Sequence, residues 1–250
     1  MKQHETLAIE VPERPETPVK VEFRRGLVAS VPVMIGFVPF ALVLGAQCAE
    51  KGFGVFEVPL MTGMNFGGGS EFAALELWTS PPQLLLIVAI VFLVNSRHIL
   101  MSAMLAPHIR HLPRLKALAA LFFMCDESWA MGLADVRRRM SAGFRPSFNL
   151  AYYLGVSTGH YLAWVVFTTT GVLVGPVMGD IRVYGFDMAF PAVFLVLLRG
   201  MWKSFQAAWP WFISLAVAAL TYRLAAGAWY VPLGAVSGVV VAAFCSNRGE

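Results

Sequence analysis

The chain has 250 residues, 58% hydrophobic and 14% charged, with a formal net charge of +4 and a mean hydropathy of +0.66. A soluble domain carries about 25% charged residues, so this composition excludes a water-soluble globular protein. The basic residues gather between apolar runs, where membrane proteins keep them, and give no sign of a nucleic-acid partner.

Five runs lack Asp, Glu, Lys and Arg altogether: Gly26 to Ala49, Leu77 to Ser96, Pro146 to Gly179, Ser204 to Tyr222 and Leu224 to Asn247. A bilayer crossing takes about 20 apolar residues. The expected fold class is therefore an all-α integral membrane protein. We expect seven to eight transmembrane helices, two of them broken, with an internal repeat. Residues 1–22 read as a disordered cytosolic tail, polar and proline-bearing, and 23–250 as the polytopic transmembrane domain.

Arg24 and Arg25 precede the first span, Gly26 to Gln47, and place its start on the inside. Pro32, Gly36 and Pro39 weaken this helix near its middle.

The second segment, Val55 to Trp78, is interrupted by Gly67, Gly68 and Gly69. Glycine is a poor helix former, so the helix is expected to break there and restart, with Ser70 as its cap and Glu71 in its first turn. Inside a bilayer such a break survives only beside protein or a polar cavity. Paired broken segments are the sequence mark of a transporter site. Burial favours the neutral form of Glu71 and the positive helix end favours the charged form. The expectation is that burial wins and Glu71 carries a proton near neutral pH.

The third span, Gln83 to Ala106, carries Asn95, Ser96, Arg97 and His98. Asn95 and His98 share a helix face, and an Arg this deep needs a partner or water. After a basic loop, His108 to Lys116, a span from about Ala117 to Ala134 holds Asp126 and Glu127 in mid-run. Arg97 or His98 is the expected partner of Asp126 or Glu127. Arg137, Arg138 and Arg139 form the densest basic cluster, placed inside. If every segment crosses, the loop at His108 to Lys116 falls outside, against the positive-inside rule. If Val55 to Trp78 is re-entrant, that loop moves in and the next moves out.

The long run Pro146 to Gly179 contains His160, read as a packing histidine. Next, Gly185, Phe186 and Asp187 echo Gly69, Ser70 and Glu71, with Asp187 standing for Glu71. The echo suggests repeat-like halves at about 26–107 and 148–226. Two more spans follow, and Gly227, Gly234 and Gly238 on the last suit close contact with a partner helix. Cys48, Cys125 and Cys245 have no metal or redox spacing, and no cofactor is expected.

The first span with Pro39 and Phe40, the stretch Gly69 to Ala74, Asn95 to His98, and Asp126 to Ser128 together resemble the AzlC-type branched-chain amino acid permeases. The resemblance runs from about Arg24 to Arg199. It implies the large subunit of a two-component exporter in the cytoplasmic (inner) membrane, with a small hydrophobic AzlD-type partner. The implied substrates are valine, leucine, isoleucine and sometimes methionine. The implied transport is secondary, and the chain has no Gly-x-x-x-x-Gly-Lys-Ser/Thr phosphate loop. Glu71 stands where the family commonly has Gln. The candidate substrate or coupling residues are Gly68, Gly69, Ser70, Glu71, Asn95, Arg97, His98, Asp126, Glu127 and Asp187. Two other readings fit the same residues. One is a membrane-embedded hydrolase using His98 with Asp126 or Glu127, and the other is a non-catalytic scaffold.

Overall fold

The computed structural model describes residues 17–144, 148–178, 208–224 and 229–246, with isolated positions at 183, 188, 195, 199, 202, 204 and 205. Among the described residues every regular element is a helix. Asp187 and Gly227 lie outside them.

The frame is a pair of long helices, α1 (Val19–Glu50) and α8 (Leu150–Met178). Both are long and apolar enough to cross a membrane. At about 1.5 Å per residue, 32 residues reach well beyond a hydrocarbon core of about 30 Å. α1 therefore begins at Val19, inside the stretch read as tail, and carries Glu22, Arg24 and Arg25 into its first turns.

Glycines let the two backbones touch. A methyl group on Gly26 would strike the Tyr152 carbonyl, and one on Gly155 the Phe23 carbonyl. Farther along, Gly45 meets the Thr168 carbonyl and Gly171 meets the Leu42 carbonyl. Without a hydrophobic drive between helices in lipid, such close contact is the source of association. Positions 26 and 45 of α1 meet 152 and 168 of α8 in the same order, so the helices run parallel. Their starts mark one end of the molecule, which carries Lys20, Arg24 and Arg25. The end of α1, with Glu50 and Lys51, marks the other.

From that other end, α2 (Glu57–Asn65) descends along α8: Thr62 lies 3.3 Å from Thr168, and Tyr161 donates to the Gly63 carbonyl at 3.0 Å. The chain breaks at Phe66 to Gly68. Then α3 (Gly69–Glu76) climbs back, so that Trp78 packs on Phe53 and takes a bond from Lys51 Nζ at 3.1 Å. This is a hairpin that enters and leaves at one end.

The chain next crosses through α4 (Leu84–Asn95) and α5 (Arg97–Ile109), which together make one long apolar helix, turned at Ser96. His108 stacks on Phe148 at the basic end. From there α6 (Arg114–Phe122) rises, with Ala120 taking a bond from Tyr153 and Phe123 packing on Tyr161. After a break at Phe123 to Cys125, α7 (Asp126–Ser141) returns to Arg25 and Asn149. The expected continuous span from Ala117 to Ala134 is thus a second hairpin, entering from the opposite end. Its break follows from the tertiary setting, because no Gly or Pro lies at 123–125.

This arrangement resolves the loop charges. Arg110, Arg114, Lys116 and Arg137 to Arg139 all lie at the end that holds Lys20, Arg24 and Arg25. Glu50, Glu57 and Glu76 lie at the other. Among the described residues three helices are long and apolar enough to cross. A count of seven to eight, and the repeat built on Asp187, rest partly on residues outside those described.

A further pair, α9 (Trp209–Leu224) and α10 (Tyr230–Ser246), packs through the small-residue face assigned above to a partner. Gly234 sits on Ala218, and Gly238 on Ser214. The stripe is filled from within the chain, since a helix next in sequence reaches it first.

Candidate functional site

The two breaks meet near mid-depth against α8, and a cavity of about 400 Å³ lies between them. One wall is apolar, from Val33, Phe37 and Phe40 of α1 with Phe72 of α3. The other brings together Gly67 to Gly69, Arg97, Asp126, Glu127 and His160.

The first tip owes its shape to its backbone. Phe66 ends α2 in the left-handed region, with φ 44°, and Gly68 has φ 46°. That region is costly for a bulky residue and persists only where the surroundings enforce it. Here Phe66 packs edge-on against Tyr161. Gly68, not Ser70, is the N-cap of α3, and no side chain caps that helix. Ser70 is drawn away to accept a bond from Asn65 Nδ2 at 2.8 Å. The Ser70, Glu71 and Phe72 N–H groups bond the Gly67 and Gly68 carbonyls, so what α3 presents to the cavity is the positive end of its dipole and the backbone of Gly67 to Gly69.

Glu71 lies just behind this tip, 1% exposed. Oε2 accepts from Trp164 Nε1 at 2.8 Å, and Oε1 accepts from the Gly67 N–H at 3.1 Å and Asn65 Nδ2 at 3.4 Å. Every one of these partners donates. Glu71 is not among the residues lining the cavity.

The second tip places Asp126 and Glu127 in the first turn of α7, where helix polarity favours acids. The Cys125 N–H donates to Ser128 Oγ at 2.9 Å, which starts the helix there. Cys125 Sγ lies 3.8 Å from His160 Nδ1.

Arg97 joins the two tips. Its Nη1 pairs with Asp126 at 2.6 Å and its Nη2 donates to the Gly67 carbonyl at 3.0 Å. This is the pairing expected from a cation in one span and acids in another. Both side chains remain about one-third exposed, at 33% and 32%. Asn95 Nδ2 adds a bond to Asn65 at 2.9 Å. His98 takes no part in the pair; its ring bonds the Asn95 carbonyl at 3.1 Å.

So Gly68, Gly69, Arg97, Asp126 and Glu127 come together at the cavity, while Ser70, Glu71 and Asn95 brace its wall. Cys125, His160 and Trp164 have no part in the sequence-based set. His160 did carry a signal, a polar ring in an uncharged run. It is 1% exposed, packs edge-on with Phe37, and its face reaches the cavity.

A second polar cluster, also unforeseen, closes the basic end. Glu22 is 2% exposed and accepts from Arg25, Arg139, Asn149 and Thr17. Asp135 accepts from Arg25 and Arg139, both at 2.8 Å. The Arg25 guanidinium also lies 4.0 Å over the Tyr152 ring. Burial raises the Asp135 carboxyl, but the bonds and charges of Arg25 and Arg139 outweigh it and hold it below its ordinary range.

Crossing helices and two opposed hairpins with a cavity between their tips define an α-helical integral membrane protein. Residues 32–178 match the family described as AzlC protein, and the chain belongs to that family. It is 32% identical over 179 residues to an uncharacterized membrane protein of Archaeoglobus fulgidus, covering 70% of this chain and 74% of that one. It is 25% identical to the inner membrane protein YgaZ of Escherichia coli, covering 93% and 92%. It is 24% identical to the branched-chain amino acid transport protein AzlC of Bacillus subtilis, covering 72% and 68%. No solved structure matches the chain.

Proposed function

We propose that the chain is a secondary transporter that exports branched-chain or related amino acids across the cytoplasmic membrane. The observation that carries this reading is the cavity between the hairpin tips. Its volume suits a small ligand, and its surface is divided. One side is aromatic and aliphatic, fit for a branched side chain. The other offers a guanidinium, a helix N-terminus and two carboxylates, fit for a carboxylate and an ammonium group. The name of the Bacillus subtilis relative supports the substrate class. The positive-inside rule places the basic end in the cytosol.

Two finer parts belong to the same proposal. Transport is coupled to a proton, and Glu127 is better placed to carry it than Glu71 because it faces the cavity. A small AzlD-type membrane subunit completes the transporter, on a face other than the Gly234–Gly238 stripe. The hydrolase reading loses support, because His98 bonds a backbone carbonyl and not Asp126 or Glu127.

Counterflow tests the proposal. Proteoliposomes holding the purified chain with its small subunit, preloaded with unlabelled leucine, are expected to take up labelled leucine. Absence of exchange for valine, leucine, isoleucine and methionine alike overturns it. Full export by the chain alone overturns the partner.

A further inference from the structure

We infer that the Arg97–Asp126 ion pair is a latch between the two hairpins, which a zwitterionic amino acid opens by taking over both of its halves. The inference rests on the transport reading and adds how the substrate is recognised and what its binding does.

The geometry is specific. Arg97 stands on a crossing helix, outside either hairpin. One of its nitrogens holds the carbonyl of Gly67 at the first tip, and the other holds the carboxylate of Asp126 at the second. Both members of the pair line the cavity and remain about one-third exposed, so a ligand reaches the pair directly. A buried pair sealed in protein would offer no such access.

An α-amino acid has the same two charged groups on one carbon. Its carboxylate can accept from the guanidinium Nη1 in place of the single bond that Asp126 accepts now. Its ammonium group can then satisfy Asp126, with Glu127 beside it on the same helix turn. The cavity then holds two charge pairs in place of one, and Arg97 no longer holds the second tip. Only a ligand with both groups can do this without leaving one charge unpaired at a site that is only about one-third exposed. A 2-oxo acid would displace Asp126 and leave it unpaired. An amide would displace Arg97 from Asp126 with only a neutral carbonyl to offer the guanidinium. Substrate selection and release of the tips are then the same event, since a ligand shifts a conformational balance only through differential contacts.

The test is equilibrium binding of three labelled probes: leucine, leucinamide and 4-methyl-2-oxopentanoate. The purified transporter is used, as wild type and as Asp126→Asn. Wild type is expected to bind leucine and neither analogue, a comparison that needs no variant. In Asp126→Asn the guanidinium has lost its competitor. Leucine binding should weaken about tenfold, and oxo-acid binding should tighten by about tenfold, within the usual range of coupling between sites. A pair that only holds the fold together predicts no such gain. The inference is overturned if wild type binds the oxo acid as well as leucine, or if Asp126→Asn binds it no better than wild type. Leucine counterflow with no oxo-acid gain sinks the latch and leaves the transport reading standing. Oxo-acid gain with no amino acid exchange does the reverse.

Discussion

Glu71→Gln separates an anchor from a proton carrier. In the structure Glu71 uses two acceptor oxygens for three donors, Trp164 Nε1, the Gly67 N–H and Asn65 Nδ2. Glutamine keeps one acceptor and turns an NH2 toward the others. If its oxygen faces Gly67, the NH2 confronts Trp164 Nε1. One hydrogen bond is lost, worth about 0.5–1.5 kcal/mol, and a buried donor is left unsatisfied, at about 1–3 kcal/mol. For a chain of this size each kcal/mol shifts the melting temperature by about 2–4 °C, so a fall of roughly 5 to 10 °C is expected. Trp164→Phe removes the same bond from the other side. The double variant should therefore fall by much less than the sum of the two. The assay is thermal unfolding in lipid nanodiscs, alongside leucine counterflow at several pH values. An anchor predicts reduced stability and an unchanged pH profile. Additive losses, or full stability with loss of proton-driven accumulation only, would refute the anchor and return the proton to Glu71.

Three further predictions follow from the frame and the basic end. Gly45→Ala drives a methyl into the Thr168 carbonyl and should cost about 1–3 kcal/mol by overpacking; Gly36→Ala, with open space around it, should leave unfolding in detergent unchanged or slightly improved. Glu22→Gln strands part of the charge on Arg25 and Arg139. Because the cluster lies near the chain's water-facing end, the lower figure for a broken buried pair applies, about 3 kcal/mol, read by denaturant unfolding. Asp135 is held low by its two arginines, so its contribution is fully present above the unfolded value of about 3.9 and is lost as pH falls through the lower folded value. Stability of the wild type should drop there more steeply than that of Asp135→Asn; equal slopes would contradict it.

The first tip was legible because glycine writes its conformation into sequence: Gly68 sits at positive φ where the break was expected. The second tip was not. Phe123, Met124 and Cys125 carry no breaker, and the helix restarts because Ser128 binds the Cys125 N–H and the acids suit a first turn. The pattern Cys-Asp-Glu-Ser was a helix-start signal, but it was read as charge alone. The pairing of Arg97 was legible, since an intramembrane cation demands a partner. The Glu22 cluster escaped because each member looks solvated in sequence; only the return of α7 to the start of α1 brings Glu22 and Arg139, 117 residues apart, within bonding distance.

The hairpins also bear on how the chain enters a bilayer as it is made. A segment that returns to its own side never requires its flanking loops to be translocated. Arg110, Arg114, Lys116 and Arg137 to Arg139 thus remain where they are synthesised, avoiding about 2.5–3.5 kcal/mol for each Arg or Lys drawn to mid-bilayer. The tips face the opposite difficulty. Glu71 of the first tip receives its Trp164 bond from a helix made 93 residues later, so the first tip and the cavity beside it are completed late in synthesis.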